Sequence, residues 1–449
     1  MVSLAEKMAA SLDMSAFGKA EELKKRLWFT ILALIVFRLG TFIPLPGIDP
    51  HILSEIFARN SGGILGMFNM FAGGALERMT IFALNIMPYI SASIIIQLGQ
   101  SVIPSLQALK KEGEAGHRKV TQYTRYLTVL ITVIQGYGIA VGLESMTGGA
   151  GVSAVLMPGA VFRFTTIVSL VGGTMFIVWL GEQITKRGVG NGSSLIITVG
   201  IIANIPSALA QTFELGRVGS MSAPVILMLM AMVLGLIYLI VFVERAQRKI
   251  TIQYPKRQVM GRMGASESSH LPLKINPTGV IPPIFASSLL LLPITIANLS
   301  AENGPVWVQN LSQMLSHGQP LYLSLYAFLI AFFAFFYTAI VFNPEETADN
   351  LKKHGGFIAG IRPGKNTAEY LDYVITRLTV LGAVYLVGLC ILPEVLISKL
   401  SVPFVLGGTT LLIVVQVTMD FVGQLQSHLI AYQYESLIRK ASLAGKKRR

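Results

Sequence analysis

MFNMFAGGALERM, residues 67–79, stands directly before an apolar run at 80–103, where a membrane protein places spanning helices. It is too short to be a span itself. As a helix it would rise roughly 20 Å, against a hydrocarbon layer about 30 Å thick. Gly73 and Gly74 interrupt its middle, and Glu77 and Arg78 lie near its end. A short, half-polar segment next to genuine spans calls for a physical reason.

The chain around it is membrane material. Charged residues make up 13%, against about a quarter in soluble domains, and 53% are hydrophobic. Ten stretches of about 20 residues carry almost no charge: roughly 27–44, 80–103, 126–144, 160–181, 193–211, 222–243, 278–298, 320–342, 374–393 and 402–422. They predict an all-α polytopic fold with ten transmembrane helices. Five spans plus five suggest two halves, 1–215 and 216–449, and an inverted repeat is common in transport folds. The first span is too long for a signal-peptide core and runs into IPLPG, so it is expected to stay in the mature protein.

With ten spans, both termini share one side. Thirty of the 36 basic residues fall there, five (Arg59, Arg78, Arg163, Arg217 and Lys399) fall opposite, and Arg38 lies inside the first span. Basic residues concentrate on the cytoplasmic side, so both termini are expected in the cytoplasm. The net charge of +13 therefore marks one face. Most of these side chains need do no more than orient the spans and meet anionic headgroups.

Two loops on that face are longer than connection requires. Residues 244–277 carry the β-like run RKITIQY and a basic, Gly-containing tip, which predicts a hairpin. Residues 343–374 combine a short helix, a Gly-Gly break and the turn IRPGKN. Long ordered loops on one face read as docking surfaces. The stretch FGKAEELKKRLWF near the amino terminus has the spacing of an amphipathic surface helix.

The glycines of TKRGVGNGSS imitate a nucleotide fingerprint, but the chain re-enters the membrane at once and a tight turn is the better reading. IRPGKN misses the phosphate-loop pattern, with Ala359 and Asn366 at two required positions. Energy must therefore come from outside the chain. The single Cys390 leaves no intrachain disulfide, and the six histidines lack metal-ligand spacing, so no cofactor or metal is expected.

A secondary transporter of a small solute is the main alternative. It would need acidic or polar groups near the bilayer midplane, yet Glu182, Glu244, Asp372 and Asp420 lie at or near span ends. Ser91 and Ser93 have no intramembrane base in view for hydrolysis. What the midplane offers is isoleucine. Ile86 and Ile90 are four apart, with Pro88 placed to kink the helix between them; Ile197, Ile284 and Ile413 supply similar side chains. Lipid contact or bundle packing accounts for any one of these, and periodicity alone does not select them.

The stretches FIPLPGID, MFNMFAGGAL, IMPYISASIIIQL, KKEGE, GEQITKRGVGNG, LPLKIN, GVIPPIFASS, VFNPEETADNLKKHGGFIAGIRPG and LGGTTLLIVV occur in this order across nearly the whole chain. Together they resemble the SecY/translocon family, the channel-forming subunits of the bacterial protein translocase. The resemblance implies an hourglass channel between two five-helix halves in a bacterial inner membrane. It implies that the chain at about 64–79 forms a plug, a short re-entrant helix closing the channel at rest, with Met67, Phe68, Asn69, Met70, Phe71, Ala72, Gly73 and Gly74 as its residues. Glycine weakens a helix by roughly 1 kcal/mol relative to alanine, so such a segment is loosely held.

Carried over by position, the constriction falls at Ile86, Ile90, Ile197, Ile284 and Ile413. Its sixth slot falls at Ser193, where the family usually has another branched apolar residue; this departure bears on the seal to ions. A narrow apolar ring dewets when empty and offers ions no ligands. The resemblance also implies a lateral gate, with Ser91, Gln97 and Asn276 as polar contacts, through which apolar segments leave for lipid. On the cytoplasmic side it implies docking of a SecA motor ATPase or a ribosome, including ribosomal RNA phosphates, at Arg362, Lys256, Arg257 and Lys274. SecE and SecG are implied partners, secretory and membrane precursor polypeptides the cargo. A scaffold that merely recruits ribosomes is a third reading.

Overall fold

The structure is a computed structural model and describes residues 21–49, 52–53, 73–145, 155–218, 222–254, 258–259, 262–263, 268–290, 314, 319–400 and 407–446. Met67, Phe68, Asn69, Met70, Phe71 and Ala72, together with Lys256 and Arg257, lie outside these residues. Helices dominate the chain. They begin with α1 (Glu21–Gly40), α2 (Met87–Val102), α3 (Pro104–Lys111), α4 (Glu114–Ser145), α5 (Ala160–Arg187), α6 (Gly192–Arg217) and α7 (Ala223–Arg245). Strands β1 (Gln247–Gln253), β2 (Gln258–Val259), β3 (Arg262–Met263) and β4 (Ser268–Lys274) follow. Then come α8 (Ile281–Leu290), α9 (Pro320–Val341), α10 (Pro344–Lys353), β5 (Phe357–Ile358), α11 (Lys365–Leu400) and α12 (Gly408–Lys446).

Among the described residues, seven helical stretches are long and apolar enough to cross a membrane. They lie in α4, α5, α6, α7, the α9–α10 run, α11 and α12. Helices are the natural solution because lipid offers the backbone no partner. Hydroxyls in them need one too. On α4, Thr124, Thr128 and Thr132 line one buried face, and each donates to the carbonyl four residues back at 2.7–2.9 Å.

Several boundaries depart from the sequence reading. The amphipathic stretch expected as a separate surface helix is, from Glu21 onward, continuous with the first span in α1. The second span begins at Met87, and residues 80–86 are turns and an isolated bridge. Pro88, expected as a kink, sits in the first turn of α2, where its missing N–H breaks no intrahelical bond. Helices α11 and α12, of 36 and 39 residues, exceed about 50 Å and overrun the bilayer.

Packing sorts the chain into two compact units, one of Met1–Ser93, Arg118–Ala210 and Ile413–Arg449, the other of Ile94–His117 and Gln211–Leu412. In the first, α1 lies along α5. The Thr30 hydroxyl accepts from the Val189 amide at 3.1 Å, and Leu23, Val189 and Leu429 form a small core beside it. Helices α4 and α5 are tied at both ends. Arg125 grips both carboxylate oxygens of Glu182, with Nε 3.0 Å from Oε1. At the far end Glu144 accepts from Arg163 Nε and from the Gly159 amide, both at 2.9 Å.

In the second unit the expected hairpin is present. β1 and β4 pair antiparallel from Gln247 opposite Lys274 to Gln253 opposite Ser268. Ile250 and Ile252 are buried and their neighbours on β1 exposed, the alternation that RKITIQY announces. The other long loop supplies β5, which pairs with β1 through Ile252–Ile358 and Gln253–Phe357, giving the order β4-β1-β5. Ile250, Leu273 and Ile358 pack on Leu371, Val374, Ile375 and Leu378 of α11. The short helix of that loop is α10. Asn343 caps it by accepting from the Glu345 and Glu346 amides, Pro344 opens it, and Lys352 and Lys353 close it.

Candidate functional site

Residues 73–79 are turn, not the half-helix expected of this stretch. Gly73 and Gly74 both adopt left-handed φ, +68° and +80°, which a Cβ disfavours. At Gly73 a Cβ would also lie 3.0 Å from the Gly200 Cα on α6. Arg38, the charge inside the first span, donates from Nη1 to the Gly73 carbonyl at 2.7 Å. Sequence reasoning assigned Arg38 no role, although a lone charge in an apolar span is itself a signal of function.

Past the glycines the chain is fixed. The Leu45 amide donates to the Met79 carbonyl at 2.9 Å and the Ile81 amide to the Ile43 carbonyl at 3.1 Å, so residues 79–81 pair with FIPLPG. Ala75, Leu76 and Met79 are buried among Leu45, Ile48, Leu143, Val155 and Phe162. Phe82 stacks against both Phe37 and Phe176, with ring centroids 6.1 and 5.9 Å away. Asn85 holds an unusual φ of +48° and offers its Oδ1 to the Ile86 amide at 2.9 Å.

Ile86 follows immediately and is fully buried. The Ile90 amide donates to the Ile86 carbonyl at 3.1 Å, which puts the two side chains one turn apart on a face of α2. Ile197 on α6 and Ile413 on α12 are buried, while Ile90, Ser193 and Ile284 on α8 are partly buried. None of the six is exposed. Elsewhere on the same helices, Ile95 of α2 is 45% and Ile202 of α6 44% exposed. The Ser193 hydroxyl lies toward α5, 3.6 Å from where a Cβ at Gly181 would stand.

Of the polar gate candidates, Ser91 is buried, Gln97 partly buried and Asn276 buried. Asn276 is the centre of a local network. Its Nδ2 donates to Glu244 Oε1 at 2.7 Å and to the Gly279 carbonyl at 3.2 Å; its Oδ1 accepts from the Thr278 hydroxyl at 2.9 Å and the Gly279 amide at 3.1 Å. It thereby ties the end of α7 to the approach to α8. Asn276→Asp sets a carboxylate against Glu244 and is expected to destabilise by about 2–3 kcal/mol. The check is a lowered melting temperature in detergent, with recovery in Asn276→Asp/Glu244→Gln.

Arg362 is exposed at the tip of a constrained turn. Thr367 Oγ1 donates to the Arg362 carbonyl at 2.9 Å, and the Ile361 amide to the Ile358 carbonyl at 3.1 Å. Lys274, at the end of β4, is also exposed. The pairing of β5 with β1 joins the loops carrying these two cations into one sheet.

A sequence model of the SecY family matches residues 80–422. Protein translocase subunit SecY of Escherichia coli (strain K12) is 55% identical over 432 residues, 96% of this chain and 97% of that one. A solved SecY, whose plug domain stabilises the closed state of the translocation channel and maintains a membrane seal, superposes with a TM-score of 0.64. That match is 17% identical over 91% of this chain and 93% of the other. Sec61 of the canine ribosome–channel complex from the endoplasmic reticulum gives 0.61 at 16% identity, with 91% and 93% covered.

Proposed function

Because the chain belongs to the SecY family of protein translocase subunits, we propose that it seals a polypeptide-conducting channel with an apolar ring and a plug. The chain is a translocase channel subunit, a membrane protein that passes unfolded polypeptide. Ile86, Ile90, Ile197, Ile284, Ile413 and Ser193 form the ring, and the plug ends at Gly73–Gly74. The observation that supports the ring is the burial contrast: its members are buried or half-buried, whereas Ile95 of α2 and Ile202 of α6 are exposed. Apolar side chains suit the task because they bind nothing specifically, exclude water when the channel is empty and adapt to any passing residue.

Ser91, Gln97 and Asn276 are the polar contacts of the lateral gate, where a segment of about 20 apolar residues gains by entering lipid. The chain is the passive partner. A SecA motor ATPase or a ribosome supplies the work, docking on Arg362, Lys256, Arg257 and Lys274, with ribosomal RNA phosphates among the contacts. SecE and SecG complete the complex. The distribution of basic residues supports a bacterial inner membrane location with both termini cytoplasmic.

Cysteines placed singly at 86, 90, 197 and 284 are expected to crosslink to a precursor stalled in transit, while cysteines at 95 and 202 are not. Equal labelling at all six positions would show that the ring lies elsewhere.

A further inference from the structure

The glycine-rich stretch TKRGVGNGSS, residues 185–194, joins α5 to α6. We infer that it is a clamp, in which Thr185 and Gly192 are positioning residues that fix where, and at what rotation, α6 starts against α5. They thereby set where Ser193 and Ile197 stand. The inference rests on reading those two residues as members of the ring.

One hydroxyl links the two helices. Thr185 Oγ1 donates to the Gly181 carbonyl within α5 at 2.9 Å and accepts from the amide of Gly192, the first residue of α6, at 2.9 Å. Gly192 is pressed onto the same Gly181 carbonyl, so closely that a Cβ on it would overlap the oxygen. A Cβ at Gly181 would in turn stand 3.5 Å from the Ser193 nitrogen and from Ile196 Cδ1, so α5 meets the first turns of α6 at this point. Asn191 finishes the clamp by accepting from the Ser193 and Ser194 amides at 3.1 and 3.4 Å, an N-cap that fixes the helix start. Slipping α6 by one residue, about 1.5 Å and 100°, would break the Thr185 link and lift Gly192 off its seat.

A second seat of the same kind opens α12, the helix of Ile413. GSSLII (192–197) and GTTLLI (408–413) each begin a helix at glycine and reach an isoleucine of the proposed ring at the sixth residue. Gly408 is also seated on a backbone carbonyl of the preceding helix, that of Leu389 in α11, with no room for a Cβ. Pro393 of α11 has no N–H to offer that carbonyl four residues back, which leaves it open to the approach of α12. Five residues of helix then place each isoleucine about 7.5 Å along its axis from a fixed backbone contact. One seat and one spacing, met on two helices, single out the distance from seat to side chain as the quantity that is held. An apolar collar seals only where its side chains meet, so that distance bears directly on the channel.

The test is crosslinking of single cysteines at 193, 194, 196 and 197 to a precursor stalled in transit, with cysteines at 86 and 90 as references on α2. It is run in the parent channel and in Thr185→Val, Thr185→Ser and Gly192→Ala. The parent is expected to label at 193 and 197 in preference to 194 and 196. Thr185→Val keeps the shape and loses the hydroxyl, and is expected to lower that preference about fivefold while labelling at 86 and 90 holds. Thr185→Ser, which keeps the hydroxyl, restores the parent pattern, and Gly192→Ala lowers the preference at least as far as Thr185→Val. A merely structural role would lower the melting temperature and leave the preference alone; that result in Thr185→Val overturns the clamp. An equal fall at 86 and 90 overturns it too, since the effect would not be confined to α6. A parent that labels at 86 and 90 yet not at 193 and 197 removes α6 from the ring, and the inference falls with that reading. If Gly192→Ala fails to fold, the Thr185→Val and Thr185→Ser pair decides.

Discussion

Deleting residues 67–74 raises the resting ion conductance of reconstituted channels by more than about tenfold, on the expectation that the leaking state is normally a minor population of a few per cent. With the proposed plug gone, the proposed ring would be the remaining barrier. One of its six proposed positions is the small Ser193 in place of a branched apolar side chain, and a collar with such a gap holds water more readily than a closed one. The deletion endpoint matters. Stopping after Gly74 spares Ala75 and Leu76, which are 0% and 6% exposed, so the core around Leu45 and Phe162 keeps its filling. A deletion through residue 76 would open a cavity there and confuse leak with misfolding. Planar-bilayer current, read beside an unchanged melting temperature, measures the seal alone. Wild-type conductance in the deletion variant would mean that the segment closes nothing.

Arg362→Glu abolishes motor-driven import of a precursor, with a loss of more than about tenfold, while the channel stays folded. Reversing a charge at a docking contact sets like charges against each other, which costs several kcal/mol at an interface. The fold has little stake in that side chain. The turn is held by the bonds of Thr367 to the Arg362 carbonyl and of the Thr367 and Ala368 amides to the Gly364 carbonyl, none of which involves the guanidinium. Import into vesicles with SecA and ATP is the assay; normal import would remove Arg362 from the docking surface. Lys274→Glu, on β4 of the same sheet, separates a local contact from a general need for positive charge.

Much of this was legible in the sequence, and the exceptions have a common cause. Apolar runs announce spans because each contains its own hydrogen bonds, and the strict alternation of RKITIQY announces β1 for the same local reason. Asn343, Pro344 and the closing lysines likewise spell out α10. What escaped were features made by pairing across the chain. β5 is two residues long and exists because β1 offers a free edge more than 100 positions earlier. The turn at 73–86 escaped because its two glycines read equally as weak helix and as left-handed joint, and contact with α6 and FIPLPG decides between them. Pro88 was read as a kink because the start of α2 is set by the αL residue Asn85, which no periodicity reveals. Arg38 was visible as an oddity, and only the fold supplied its partner. The isoleucines gain meaning from the resemblance and the burial contrast together, since neither alone separates them from dozens of similar side chains.

The strand β5 welds two loops that a linear view keeps apart. The hairpin and the strand leading to the Arg362 turn rest together on Leu371, Val374 and Ile375 of the long helix beneath, so a load on one is expected to be felt by the other. The pair works as one handle. If partners dock there as proposed, two of them are expected to exclude one another rather than take a loop each.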